Sequence, residues 1–212
     1  KNFLENLNLL NKINFELNEI GSPIDFLWNK CKLETVSFGH GITTTPLQAV
    51  SVYAALSNGG KIIKPNLIKK ENYQTYGRLI SQETSININK ILRKVVSKDQ
   101  GTANLADIHG YNVGGKTGTS QNYRFEDKNL NTFISIFPSD KPKYALLVML
   151  ENPQVAKDLI YNYRGIKIKG TRNEAGWNAV YVAGKIIKKI GPILAIKSND
   201  FNYHYVAEKT NK

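Results

Sequence analysis

Two apolar, β-prone runs, Thr132–Phe137 and Tyr144–Leu150, are separated by Pro138-Ser139-Asp140-Lys141-Pro142. Prolines bracketing small and charged residues are turn chemistry, so the pair reads as a β-hairpin. The stretch before it, Tyr111 to Gln121, is rich in glycine and extended, which adds a third strand. Helical patterns precede and follow these strands. The order predicts an α+β fold, an antiparallel sheet covered by helices. Three strands make a thin sheet, and further strands are expected before Lys1.

The helices carry their own signals. Residues 3–12 have apolar spacing that predicts a short helix, followed by a loop through Gly21-Ser22-Pro23 and an apolar patch at Phe26, Leu27 and Trp28. Thr45 is placed to cap a helix and Pro46 suits its first position, where a missing N–H is harmless. Leu47, Val50, Tyr53 and Ala54 then share one face until Asn58-Gly59-Gly60 stops the helix. Lys61–Pro65 and the segment around Leu67 and Ile68 read as a two-stranded arm. Ser85 is expected to cap a helix through Ile88, Ile91, Leu92, Val95 and Val96 that ends before Gly101. A last helix is expected over residues 177–190, with a weakly patterned, peripheral stretch after Pro192. The domain is thus read as residues 1–195 and a tail as 196–212.

Composition narrows the class. With 212 residues and 41% hydrophobic content, the chain is long enough for one domain with a sizeable core. It opens on Lys1 with an amphipathic pattern already running at Phe3, Leu4, Leu7 and Leu10, so it is expected to be cut from something longer. The longest apolar run falls far short of the roughly 20 residues that span a bilayer. Any anchor or export signal is expected outside this sequence. The single cysteine, Cys31, excludes an intrachain disulfide and reads as a small buried side chain. The net charge of +12 raises nucleic acid as a partner, but the lysines are dispersed and read as a solvated surface.

The chemistry concentrates at Gly114-Gly115-Lys116-Thr117-Gly118-Thr119. On an extended segment, Lys116, Thr117 and Thr119 place a cation and two hydroxyls beside a bare backbone edge. Such an edge holds a peptide through its main chain while the cation and hydroxyls take a terminal carboxylate. Gly118 leaves room for close approach. A phosphate-binding loop competes, because Gly110 lies where that motif wants its first glycine and Gly110 to Thr117 fits the bare pattern. That loop needs a helix directly after the lysine, and Gln121, Asn122 and Tyr123 show no helical spacing.

Lys-Thr-Gly is a signature of penicillin-binding proteins and serine β-lactamases. The surrounding sequence is more specific: Gly39-His40-Gly41-Ile42-Thr43-Thr44-Thr45-Pro46-Leu47-Gln48, then Tyr53-Ala54-Ala55-Leu56-Ser57-Asn58-Gly59-Gly60, Gln100-Gly101-Thr102-Ala103 and Ala175-Gly176-Trp177-Asn178-Ala179. In this order they resemble the class B penicillin-binding proteins, and among them the septal peptidoglycan D,D-transpeptidases. The resemblance implies a partial transpeptidase (serine β-lactamase-like) fold that takes peptidoglycan stem peptides and β-lactams through a serine acyl-enzyme. It also implies division-machinery partners, no nucleic acid, no cofactor or metal, and a place on the periplasmic face of the inner membrane. Carried over, Lys116 and Thr119 are catalytic, while Thr117, Gly118 and Thr119 bind substrate. The Thr119 N–H would supply half of an oxyanion hole.

One departure is large. The family attacks with the serine of Ser-x-x-Lys, and no serine in this chain has a lysine three residues later; Ser57 and Ser139 miss by one. Ser85-Ile86-Asn87 and Ser120-Gln121-Asn122 match the Ser-x-Asn signature but stand after Gly39–Ile42, where the resemblance does not put it. The fragment alone is therefore expected to be inactive, and a non-catalytic scaffold on the same fold stays open. His40, between two glycines, reads as structural, and Trp177 as packing.

Overall fold

The structure is a computed structural model that describes residues 1–25, 27–29, 31–68, 76–121 and 129–197. Phe26, Asn122, Tyr123 and the tail beyond 197 lie outside the described residues. The chain divides into two compact units, Lys1–Ser85 and Ile86–Lys212.

In the first unit, the best-specified element is α3 (Pro46–Ser57), which follows α1 (Asn2–Asn6) and α2 (Lys32–Ser37). Thr45 caps it as expected, and Gln48 completes a capping box: the Gln48 N–H donates to Thr45 Oγ1 at 3.2 Å while the Thr45 N–H donates to Gln48 Oε1 at 2.9 Å. Gln48 is buried, and its Nε2 donates to the carbonyls of Asn8 and Asn11 at 2.7 and 2.8 Å. One side chain thus starts α3 and ties it to the N-terminal segment. Asn58 ends the helix, and Gly59 and Gly60 follow with φ of 88° and 83°, in the left-handed region that glycine enters freely.

Four expectations here are corrected. The helix over 3–12 shrinks to α1, because the chain turns at Leu7 and Asn8 and Leu10 leaves the helical path. The arm pairs Lys61 with Arg78, and Ile62 exchanges backbone bonds with Gly77 and Tyr76, so residues 76–79 rather than 67–68 supply its second side. Cys31 is exposed, since it sits at the start of α2, a helix with no buried residue. Ser85 does not cap its helix: α4 (Gln82–Ser97) starts earlier, where Ser81 Oγ accepts the Thr84 N–H at 3.0 Å. Ser85 is instead buried, donating to Leu56 O at 2.6 Å and accepting the Gly59 N–H at 3.0 Å.

The second unit is the α+β body that the hairpin announced. β1 (Gly114–Gln121), β2 (Asn129–Phe137) and β3 (Tyr144–Glu151) form an antiparallel sheet in the order β1-β2-β3. Phe133 faces Thr117 on one side and Val148 on the other. Against that face packs α5 (Ala179–Lys197), whose Ala179, Val180, Ala183 and Ile187 recur at helical spacing and are fully buried. Burial of a side chain such as Ile187 contributes roughly 1.5–3 kcal/mol. Ile134 and Ile136 fill the opposite face, where the start of β1 backs onto α4 near Leu92 and Arg93.

Two features of this unit differ from the expectation. The final helix runs through Pro192 to Lys197, and its packing outweighs the one N–H that proline lacks. A further hairpin, β4 (Ile160–Tyr163) and β5 (Ile166–Lys169), was not expected at all. Its two-residue turn, Arg164-Gly165, has φ of 50° and 85°, and the turn position lets Arg164 reach back to Asp99 at 2.6 Å and Asp107 at 3.1 Å. Asp107 also holds Arg93 at 2.8 Å, and Arg93 donates to Val113 O at 2.7 Å, directly before β1.

Candidate active site

All four residues singled out in the lysine-threonine stretch lie on β1, and among the described residues β1 pairs with β2 alone. Lys116 sits mid-strand with regular pairing to Ile134, and strand geometry continues to Gln121. A phosphate loop, which turns into a helix at that lysine, is thereby excluded. Ser120 is a strand residue, as expected.

The glycines of this strand differ in what they do. A Cβ on Gly115 would stand 2.6 Å from both Ile134 O and the Phe133 ring, so packing alone demands glycine there. A Cβ on Gly118 would meet only the Thr132 Cβ, at 4.0 Å. The fold does not need glycine at Gly118; the bare surface faces solvent.

Three polar groups line the strand. Lys116 is exposed, and its Nζ donates to Thr117 O at 2.7 Å, which uses one of the ammonium's three donors. Thr117 Oγ1 lies 3.0 Å from Thr102 Oγ1, and either can donate. A pair of hydroxyls joined by one bond leaves one proton for an outside acceptor. Thr119 Oγ1 accepts the Ala175 N–H at 3.2 Å, which leaves the Thr119 hydroxyl proton to be donated outward. Strand alternation sends Lys116 to one face of β1 and Thr117 and Thr119 to the other, so the edge carries a cation and hydroxyl donors on its two sides, the chemistry that holds a carboxylate.

Two loops place the threonine partners. Residues 98–103 fold back on the end of α4 through Gly101 N–H to Lys98 O and Ala103 N–H to Val95 O, at 2.8 and 3.2 Å. A Cβ on Gly176 would stand 2.5 Å from Thr102 O, so the loop before α5 packs directly on the Thr102 loop. Trp177 is a packing residue as expected: its ring meets Tyr161 edge-on at 5.4 Å, and its carbonyl accepts the Tyr161 hydroxyl at 2.6 Å. Burial, and then the neighbouring Tyr181, push the Tyr161 phenol above its ordinary 10.0. Thr102 and Ala175 were quoted in the sequence only as parts of longer matches; nothing there signalled that their atoms converge on β1.

The remaining candidates lie elsewhere. His40 belongs to the first unit, where its N–H donates to Thr35 O at 2.9 Å and its ring stacks on Phe38 at 6.1 Å. Among the described residues no three His, Cys, Asp or Glu side chains gather as metal ligands, and no helix is long and apolar enough to cross a membrane.

An antiparallel sheet backed by helices, with a lysine-threonine-glycine strand at its edge, defines a penicillin-binding type of domain. The chain belongs to that family: the penicillin binding protein transpeptidase domain matches residues 1–171. It is 32% identical over 215 residues to the probable peptidoglycan D,D-transpeptidase FtsI of Caulobacter vibrioides, covering 92% of this chain and 34% of that protein. It is 31% identical over 179 residues to stage V sporulation protein D of Bacillus subtilis, covering 77% of this chain and 25% of that protein. The chain therefore spans a quarter to a third of the length of these curated relatives. In fold it resembles the apo TP domain of Burkholderia pseudomallei penicillin-binding protein 3, with a TM-score of 0.75 at 22% identity, over 92% of this chain and 57% of that one.

Proposed function

We propose that this chain supplies the substrate-binding wall of a serine-type peptidoglycan D,D-transpeptidase acting at the division septum. The observation that carries the reading is the edge strand β1, on which Lys116, Thr117 and Thr119 line up beside a Gly118 that the packing does not require. In this reading an extended stem peptide lies along β1, and its terminal carboxylate takes the Thr117 and Thr119 hydroxyls and the charge of Lys116. A serine from outside residues 1–212 attacks the carbonyl of the penultimate D-alanine. The terminal D-alanine leaves with a proton, and an amine of a neighbouring strand then displaces the serine to form the cross-link. The Thr119 N–H is half of the oxyanion hole, and Lys116 joins the proton relay. A β-lactam enters by the same path and stops at the acyl-enzyme.

The domain limits follow the same reading, with residues 1–195 as the C-terminal portion of the catalytic domain and 196–212 as a tail. So does the location, the periplasmic face of the inner membrane beside other division proteins, held by a segment outside this chain. The test is covalent labelling by a fluorescent penicillin, on residues 1–212 and on the protein with whatever its gene encodes before Lys1. Labelling of the longer protein and not of residues 1–212 is expected. A longer protein that does not label overturns the transpeptidase reading and leaves a peptidoglycan- or partner-binding scaffold, the reading favoured by the lack of any Ser-x-x-Lys in residues 1–212.

A further inference from the structure

Asn131 is an unusual residue for its place. It sits inside β2, directly opposite Thr119, and is fully buried on the face that two residues later carries Phe133. Asparagine is a poor strand former, and a buried carboxamide is unfavourable unless bonded.

Its bonds all go to one loop. Asn131 Nδ2 donates to Asn173 O at 2.6 Å and to Asn178 Oδ1 at 3.2 Å. Asn178 Oδ1 also accepts the Ala179 N–H at 2.6 Å at the start of α5, and that bond fixes which way its amide faces. Asn178 Nδ2 donates back to Asn173 O and Oδ1 at 3.3 and 3.1 Å. Asn173 Nδ2 donates in turn to Pro153 O, just past β3. Three carboxamides thus clamp both ends of residues 173–178. Between the clamps lies Ala175, itself buried, whose N–H donates to Thr119 Oγ1. Asn131 Oδ1 is buried with no partner among the described residues.

We propose that Asn131, Asn173 and Asn178 are positioning residues for Thr119: by fixing the Ala175 N–H they hold the Thr119 hydroxyl as an acceptor inward and a donor outward, toward a substrate carboxylate. This rests on the transpeptidase reading for the identity of that carboxylate. Without the clamp, the Thr119 hydroxyl rotates freely and loses its directed proton.

The test uses the protein with its upstream sequence and two variants. Asn131→Leu replaces the carboxamide with an apolar group of similar size. Asn178→Asp keeps an oxygen for the Ala179 N–H, and so keeps the start of α5, but loses the donation to Asn173. Two quantities are read in each: hydrogen exchange at the Ala175 amide, and the ratio of acylation rates for benzylpenicillin and its methyl ester. Exchange is expected to speed up, and the preference for the free acid to fall, each by about tenfold, the scale of one net hydrogen bond. In a Thr119→Val background neither substitution changes the ratio further. Unchanged Ala175 exchange in a folded variant overturns the clamp. Faster exchange with an unchanged ratio overturns its role toward the carboxylate. A general loss of structure lowers acid and ester acylation alike, and that result also overturns the proposal. If the wild-type protein is not acylated at all, the transpeptidase reading fails and the proposal falls with it, while Ala175 exchange still reports whether the clamp exists.

Discussion

Substituting two glycines of β1, Gly115 and Gly118, with alanine one at a time separates what the fold needs from what a ligand needs. At Gly115 the new methyl would stand 2.6 Å from Ile134 O and the Phe133 ring, and Phe133 is fully buried with no room to retreat. Forcing a methyl into such a site costs about 1–3 kcal/mol. At Gly118 the nearest atom is 4.0 Å away, so the methyl meets no obstacle. Removing the backbone entropy of a strand glycine there stabilises by about 0.5–1 kcal/mol. For a chain of this size a kilocalorie moves the melting temperature by about 2–4 °C. Gly115→Ala is therefore expected to melt several degrees below wild type and Gly118→Ala slightly above it. Penicillin labelling of the protein with its upstream sequence is expected to reverse the comparison. The Gly118→Ala methyl stands between β1 and the acyl chain, and a displacement of 1 Å in a reacting group costs about 100-fold in rate. A Gly118→Ala protein that labels within about threefold of wild type, far short of the expected drop of about 100-fold, would refute the reasoning. So would one that is destabilised as much as Gly115→Ala.

Other expectations are simpler. Gln48→Ala removes half of a capping box and two bonds to the Asn8 and Asn11 carbonyls, so urea unfolding should show a loss of about 2–4 kcal/mol. Thr102→Val takes away the hydroxyl that shares a bond with Thr117, and penicillin acylation should slow by about tenfold with the melting temperature nearly unchanged. Tyr161 has its phenol raised by burial and by Tyr181, so its contribution to stability is fully present below about pH 10 and declines as pH rises toward the higher folded value. Tyr161→Phe should flatten that alkaline loss of stability in pH-dependent unfolding, while losing about 1 kcal/mol at neutral pH with the bond to Trp177 O.

The elements legible in the sequence were those whose local chemistry agrees with their packing. Thr45-Pro46 starts α3 and Asn58-Gly59-Gly60 ends it because cap and turn preferences act within a few residues. The hairpin of β2 and β3 was visible because its turn is punctuated by Pro138 and Pro142. Where tertiary packing overrode a local signal, the reading failed. Pro192 reads as a stop, but α5 carries on past it beneath the sheet. Arg164-Gly165 lacks the usual asparagine or aspartate of a two-residue turn, and its left-handed Arg164 is held by acidic partners far off in sequence. Ser85 looked like a cap because its bonds to Leu56 and Gly59 are non-local. Of the site, β1 itself was legible as a strand with its lysine and hydroxyls. The Thr102 hydroxyl, the Ala175 N–H and the Asn131 carboxamide were not, since each matters only through a contact between segments 15 to 56 residues apart.

An edge such as β1 has a second consequence. A row of backbone groups without a neighbouring strand is a template for any extended chain, including another copy of itself, and proteins guard such edges with charge, most often lysine. If two copies paired along β1, each would bring the cation of Lys116 to the same seam, and like charges on neighbouring strands are unfavourable. A carboxylate-ended peptide feels the opposite sign. In the proposed reading, the charge of Lys116 would favour a carboxylate-ended peptide on this edge over a second copy of the strand.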